Sequence, residues 1–342
     1  TGTNAIFLPQ TIDDTLIKYI GRAKYSIDLT MYNFNNSGIS NVSDALKAAA
    51  NRGVTVRVIG CGTTNNLGID ELAGSAVHVL IGPSSTGRTG IMHNKFILFD
   101  TESANPNEPL VWTGSTNLTD GQINTDANNV IIIQDQSLAR AYKIEFEEMW
   151  GSHNNINNPS LAKFGPYKTD NTPHLFNVNG RRIDVYFSPS DNPSTQIENM
   201  IANYTNKSIS FVIYAFTRFN ISNKMKTQFS PPTKMVRGVF DISQATAGTV
   251  YEEMKGIGGT TPWNPPAPVY LENQTGLLHS KYMLIDADLM TSDPIVETGS
   301  FNYSNSATFG NDENFLIIHD SLMANQYYQE FAKRYIESGG TI

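Results

Sequence analysis

Apolar positions along the chain recur at two spacings that alternate. Ile12, Leu16, Tyr19 and Ile20 fall on one face of a helix with a period of 3.6 residues. Residues 25–34 follow as a short apolar run through Ile27, Leu29, Met31, Tyr32 and Phe34, which predicts a strand. The same order returns in the second half. Ile197, Met200 and Ile201 predict a helix, and residues 207–216 predict a strand through Ile209, Phe211, Val212 and Ile213. Tyr32 then corresponds to Tyr214, and Phe34 to Phe216. The segment ahead of each helix repeats too, as Phe7-Leu8-Pro9 and Phe187-Ser188-Pro189.

The echo continues downstream. Asp100 closes the strand Phe96-Ile97-Leu98-Phe99, and Asp286 closes Tyr282-Met283-Leu284-Ile285. Thr113-Gly114-Ser115-Thr116-Asn117 answers Thr298-Gly299-Ser300-Phe301-Asn302, and Val130-Ile131-Ile132-Ile133 answers Phe315-Leu316-Ile317-Ile318. Each half ends in a helix, with Ser137 and Ser321 as expected N-caps and Phe146 and Phe331 on equivalent turns. Short, continuous apolar strands alternating with helices predict an α/β fold with buried sheets. The expected architecture is two duplicated α/β halves, each a mixed sheet flanked by helices, related by a pseudo-two-fold with the active site between them. Residues 151–179, rich in Asn, Pro and Gly, are the natural joint. The halves are therefore drawn at 1–165 and 166–342.

Composition sharpens this picture by exclusion. The 342 residues suit about two domains, and 39% hydrophobic residues suffice for a packed core. No apolar run reaches the roughly 20 residues of a membrane span. A net charge of −8 argues against a broadly basic nucleic-acid-coating surface, while leaving room for a local basic pocket. The single cysteine, Cys61, excludes an intramolecular disulfide framework and any multi-cysteine zinc site. The chain opens Thr1-Gly2 without an initiator Met, and its charged fraction is 16%. Both suit an exported, secreted or periplasmic protein whose signal has been removed.

Two of the six histidines share one frame at matching repeat positions. His93-Asn94-Lys95 leads to Asp100, and His279-Ser280-Lys281 leads to Asp286. A given histidine meets such a frame by chance roughly once in 400. On a strand, residues two apart face the same way, so each His and Lys project together. The Asp, an odd step away at the far end, suits orienting a neighbour or tying down a turn. Gly-Ser-x-Asn then supplies a close backbone approach, a hydroxyl and an amide donor. Two copies facing each other would place two imidazoles, two ammonium groups and two amides around one centre. That set matches a phosphodiester anion, with one imidazole attacking phosphorus and the other protonating the leaving oxygen. Lysines repel cations, so no metal or other cofactor is expected.

Paired HxKxxxxD motifs, each followed by GSxN, resemble the phospholipase D superfamily, and the resemblance runs through most of the chain. It implies a monomeric two-half phosphodiesterase with a covalent phosphohistidine, no metal and no obligate protein partner. Carried onto this sequence, the catalytic set is His93, Lys95, Asp100, His279, Lys281 and Asp286, with His93 as nucleophile. Lys95, Lys281, Asn117 and Asn302 would hold the phosphoryl oxygens, and Ser115 and Ser300 would line the pocket or close the turn. The family usually places a carboxylate after GSxN to orient each histidine. Glu313, eleven residues after Asn302, fits, whereas the same count from Asn117 reaches the neutral Asn128. Asp126 is the expected substitute.

The superfamily includes phospholipases, phosphatidyltransferases and non-specific nucleases, so the resemblance leaves the substrate open. Phospholipid head-group hydrolysis, with transient membrane-surface contact, is the first expectation. A secreted endonuclease is the alternative, and a non-catalytic phosphate-binding scaffold the third. Two Gly- and Pro-rich loops, residues 82–90 and 256–266, should rim the site. Trp263 is expected to meet a lipid interface or a base; Arg88 fits a phosphate or head group, though a solvated loop arginine is the commoner case. Tyr32 and Tyr214 fit either the pocket wall or the core. His78, His153, His174, His319 and Cys61 are read as structural.

Overall fold

The computed structural model describes residues 11–35, 40–84, 90–246, 248–289 and 291–342. Phe7-Leu8-Pro9 and Arg88 lie outside the described residues, as does most of the loop that carries Arg88.

The strand-like runs pair into two sheets. The first contains β1 (Ser26–Met31), β2 (Thr55–Gly60), β3 (His78–Ile81), β4 (Lys95–Phe99), β5 (Leu110–Gly114) and β6 (Val130–Gln134), in spatial order β3-β2-β1-β4-β5-β6. The second contains β7 (Leu175–Val178), β8 (Arg181–Ser188), β9 (Ser208–Ile213), β10 (Met235–Phe240), β11 (Val269–Leu271), β12 (Lys281–Ile285), β13 (Ile295–Gly299) and β14 (Glu313–His319). Their order is β11-β10-β9-β12-β13-β14-β8-β7, so the same six-strand plan carries an extra hairpin at one edge. Both sheets are mixed. β1 runs parallel to β2 and antiparallel to β4, as β9 does to β10 and β12. The expected duplicated α/β architecture is therefore present.

Helices cover the outer faces and fill the space between the sheets. Leu16 and Ile20 of α1 (Ile12–Arg22) and Val42 and Leu46 of α2 (Ser40–Asn51) pack on the first sheet. A 4-residue helix, α3 (Leu67–Asp70), adds Ile69. On the second sheet the same role falls to α6 (Pro193–Tyr204), α7 (Phe219–Gln228) and α8 (Val250–Lys255). Short helices α4 (Asp120–Asn124) and α9 (Asn305–Phe309) follow the two GSxN turns. Helix α5 (Gln136–Trp150) joins Phe96 and Leu98 of one sheet to Val185 and Leu316 of the other in a shared core. Its counterpart α10 (Ser321–Glu337) packs Phe331 and Tyr335 on the second sheet. No described helix is long and apolar enough to cross a membrane.

Several local expectations change. The caps of α5 and α10 are Asp135 and Asp320, whose carboxylates accept from the N–H of Leu138, and of Leu322 and Met323; Ser137 and Ser321 lie inside the first turn. A full negative charge at the helix start interacts better with the aligned peptide dipoles than a hydroxyl does. The joint is not merely a linker. Its last residues form β7, and Lys168 is buried against Glu145 and Asp312, holding the joint to both halves.

Asp100 and Asp286, placed in the catalytic set by the motif, stand at the ends of β4 and β12 away from the histidines. Both have φ of 52° and act as backbone anchors. Asp100 accepts from the N–H groups of Lys24, Tyr25 and Ser26. Asp286 accepts from those of Asn206, Lys207 and Ser208, and from the Ser292 hydroxyl. A five-residue strand separates each from its lysine end, roughly 15 Å. They tie down the start of β1 and β9 and take no part in the pocket.

The loop before the second motif does not rim the site. Glu253 of α8 accepts from the N–H of Thr260 and Thr261, and Lys226 of α7 donates to the carbonyls of Thr261 and Pro262. That folding drives Trp263 inward, where it is 2% exposed and packs 5.3 Å from the Phe229 ring. It meets neither lipid nor base. Trp263→Ala should lower the unfolding free energy by about 3–5 kcal/mol. Urea unfolding would show this, with vesicle binding by the folded fraction unchanged; weakened vesicle binding at unchanged stability would restore an interfacial role.

Candidate active site

The strand order puts β4 and β12 beside β1 and β9, so the residues just ahead of them emerge at the sheet ends facing the other half. Two parallel bridges, Met92 with Asp312 and Ala127 with Leu278, stitch the halves beside both histidines. They repeat one contact in both directions, the mark of a pseudo-two-fold. Gly90 comes so close to Gly310 that a Cβ would lie 2.0 Å from its carbonyl, so the crossing needs glycine there.

His93, Lys95, His279 and Lys281 meet around this axis. Each lysine Nζ lies 3.2 Å from the Nε2 of its own histidine and also donates to that histidine's carbonyl oxygen. Tyr32 lies 4.6 Å from the His93 ring and Tyr214 5.0 Å from His279, ring centre to ring centre. The same tyrosines sit under Lys95 and Lys281, at 5.0 and 5.2 Å. Both tyrosines are half-buried against the histidines, and Tyr32 also packs on the core shared by the two halves.

The other ring nitrogen of each histidine is held by the opposite half. Nδ1 of His93 is 2.7 Å from Oε2 of Glu313, and Nδ1 of His279 is 2.9 Å from Oδ1 of Asn128. Asp126 does not substitute. It lies in the bend after α4, where its carboxylate accepts from Leu277 N–H and from the Gln122 side chain. It anchors the chain before His279, and the equal spacing from Asn117 and Asn302 prevails over the search for a charge. The hydroxyls of Ser115 and Ser300 turn to Asn128 Oδ1 and Glu313 Oε2, fixing the groups that fix the histidines, and the Ser115 backbone meets His279. Asn117 and Asn302 retain amide oxygens that are buried with no protein partner.

Burial governs the charges. His93 is 7% exposed and His279 6%. Desolvation pushes the His93 imidazole down to about 4; the Glu313 charge opposes this and Lys95 adds to it. Burial, with the charge of Lys281, also holds His279 well below its ordinary value. Lys95 is pushed down to about 7 by burial, and Lys281 well below its usual range by burial and the charge of Lys95. The pocket's own residues are thus short of negative charge. A monoanion between the lysines would relieve all four shifts.

Behind the pocket lies a network that the motifs did not announce. Asn314 donates to Asn94 Oδ1 and accepts from Thr113, while Asn129 donates to Thr298 and accepts from Lys281 N–H. The repeat carried the signal, because Asn129 and Asn314 immediately follow Asn128 and Glu313. Asn94 also donates to Glu145, the partner of Lys168. His153 and His319 pair with Glu147 and Asp293, and His78 begins β3, all outside the pocket. Cys61 is buried beside Thr63. Ligand atoms of Asp170, His174 and Asp191 lie within 4.8 Å of one another, but His174 Nδ1 is also 2.9 Å from the carbonyl of Val185.

Comparison with known proteins agrees with this duplicated arrangement. The family described as "Cardiolipin synthase, PLD-like domain" matches residues 16–150 and again 197–335, one match in each half. A mitochondrial cardiolipin hydrolase of Drosophila melanogaster is 30% identical over 151 residues, covering 40% of this chain and 57% of the relative. Its counterpart in Xenopus tropicalis is 31% identical over 161 residues, covering 45% and 66%. The chain thus spans somewhat under two thirds of the length of these curated relatives. A phosphatidylserine synthase of Haemophilus influenzae Rd KW20 superposes over 96% of this chain and 86% of its own, with a TM-score of 0.65 at 14% identity, and shares the fold. Since the family match covers most of the chain and falls once on each half of the duplication, this chain belongs to the phospholipase D superfamily.

Proposed function

We propose that the protein hydrolyses phosphodiesters of phospholipids through a covalent phosphohistidine on His93. The carrying observation is the pair of imidazoles whose Nε2 atoms face a shared pocket with a lysine beside each. Nδ1 of His93 points at Glu313, so its proton sits there and Nε2 keeps the lone pair that attacks phosphorus. The bound anion raises the proton affinity of His279, which enters the reaction as imidazolium. As the N–P bond forms, the bond to the leaving oxygen breaks, and the oxygen takes the proton from Nε2 of His279. Water then attacks phosphorus, gives its proton to His279, and the N–P electron pair returns to His93.

The charge distribution favours His93 for attack. A phosphorylated imidazole carries a positive charge, and Glu313 is the only carboxylate hydrogen-bonded to either imidazole among the described residues. Lys95 and Lys281 would neutralise the phosphoryl oxygens, with Asn117 and Asn302 beside them. Two ammonium groups in the pocket disfavour a divalent cation there, which supports metal-independent turnover. The lipid substrate is supported by the relatives named cardiolipin hydrolases and by the acidic net charge, which suits a polyanionic nucleic acid poorly.

Turnover of cardiolipin and phosphatidylcholine vesicles and of single- and double-stranded DNA, all in EDTA, tests the reading. Lipid hydrolysis should persist and fall by several orders of magnitude in His93→Asn, and brief quenching of His279→Asn should trap a phosphorylated His93. A strict divalent requirement removes the metal-free mechanism, an adduct on His279 reverses the assignment, and cleavage of DNA alone makes the protein a nuclease.

The lowered lysine and histidine values give a second expectation. An anion in the pocket raises them, so the complex holds more protons than the free protein, and binding tightens as pH falls. Sulfate, which does not titrate near neutrality, should bind more tightly at pH 6 than at pH 8, because Lys95 loses its charge above about 7. Calorimetry in buffers of different ionisation enthalpy should register proton uptake. Equal affinity at both pH values would show that the lysines are fully charged in the empty site.

A further inference from the structure

The two half-sites are alike in shape and unlike in charge. Asn128 and Glu313 occupy the same position in the repeat, each accepts from the serine of its own GSxN turn, and each meets Nδ1 of the opposite histidine. The Asn128 amide cannot turn round without loss, because its Nδ2 donates to the carbonyl of Gln122 at 2.9 Å. Oδ1 therefore faces His279, and Nδ1 of that ring must carry hydrogen. Orientation and tautomer are the same as for His93; the negative charge is missing.

We propose that Asn128 is the positioning residue that sets the pace of the second half-reaction, so that phosphohistidine on His93 accumulates during turnover. The inference rests on His93 being the nucleophile.

In the first step His279 gives a proton to the leaving oxygen. The neutral amide behind the ring stabilises the imidazolium less than a carboxylate would, so release is easier. In the second step the same nitrogen must take a proton from water. The resulting imidazolium would face Lys281, Lys95 and His93, with Tyr214 against the ring, the Ser115 backbone beside it, and no carboxylate in contact among the described residues. Two acidic groups beside the chain that leads to His279 are committed to it: Asp126 accepts from Leu277 N–H and Asp241 from Leu278 N–H, while Glu313 holds His93. Meanwhile the cationic phosphorylated ring of His93 sits on Glu313. Both halves of the asymmetry favour forming the intermediate and slow its breakdown.

Rapid-quench kinetics with bis(p-nitrophenyl) phosphate separates the steps, because nitrophenolate is released in the first. The unaltered protein should show a burst of about one equivalent per site followed by a slower steady rate. In Asn128→Asp the steady rate should rise about threefold or more and the burst shrink. Its steady rate should also inflect at higher pH, since a carboxylate holds the His279 proton more firmly. Glu313→Gln should shrink the burst from the other side, by destabilising the intermediate. A trapped His93 adduct without a burst in the unaltered protein would overturn the inference and leave the phosphohistidine reading standing. So would an Asn128→Asp protein with unchanged steady rate and pH profile at the native melting temperature. No adduct on either histidine would defeat the underlying reading itself.

Discussion

Each imidazole is oriented by a side chain from the other half. Glu313 holds His93 and Asn128 holds His279, and neither half can set its histidine's tautomer alone. Most of what surrounds the pocket serves that exchange. The bridges of Met92 with Asp312 and Ala127 with Leu278 bring the crossing strands into contact. The GSxN serines lock the acceptors, and Gly90 and Gly310 permit the approach. Because reacting groups must be held within a fraction of an ångström of their working geometry, a site divided between two halves requires a rigid interface. The core shared by α5, β8 and β14 supplies it.

The pocket's chemistry follows from its dryness. Two lysines and two histidines removed from water are costly to charge, and each lowers its neighbours further. That arrangement is unfavourable when empty and suited to an anion, since a phosphodiester supplies the charge the protein withholds. The polar residues behind it, Asn94, Asn129 and Asn314 with Thr113 and Thr298, satisfy one another and, through Thr113, Asn129 and Thr298, the backbone of Lys95 and Lys281 without adding charge. The compensating charges lie one layer further back, in Lys168, Glu145 and Asp312, where they secure the joint to both halves.

The repeat made most of the fold legible. Short continuous apolar runs and a 3.6-residue period identified the main strands and helices of both halves, and the HxK spacing placed His and Lys on one strand face. The errors have a common physical origin. Asp100 and Asp286 belong to the motif by spacing, but a strand's length separates them from the chemistry and their carboxylates serve turns. Trp263 looks like an exposed anchor in a Gly- and Pro-rich loop until Glu253 and Lys226 fold that loop onto α7 and α8. Asp126 offers the charge that Asn128 lacks, yet a bend after α4 directs it elsewhere. Each depended on a hydrogen bond to a residue far away in the chain or to a bend that periodicity does not encode.

Local rules are short-ranged, and the sequence alone therefore determined the main elements, their duplication and the candidate reacting groups. Dihedral preference, burial period and same-face spacing all act within a few residues. Which acceptor meets which imidazole is different. The partners of His93 and His279 lie 220 and 151 positions away, and only the packing of one half against the other brings them within 3 Å. Spacing showed that Glu313 and Asn128 differ in charge; tertiary structure decided that each stands behind the opposite half's histidine, and that Asp126 does not replace Asn128.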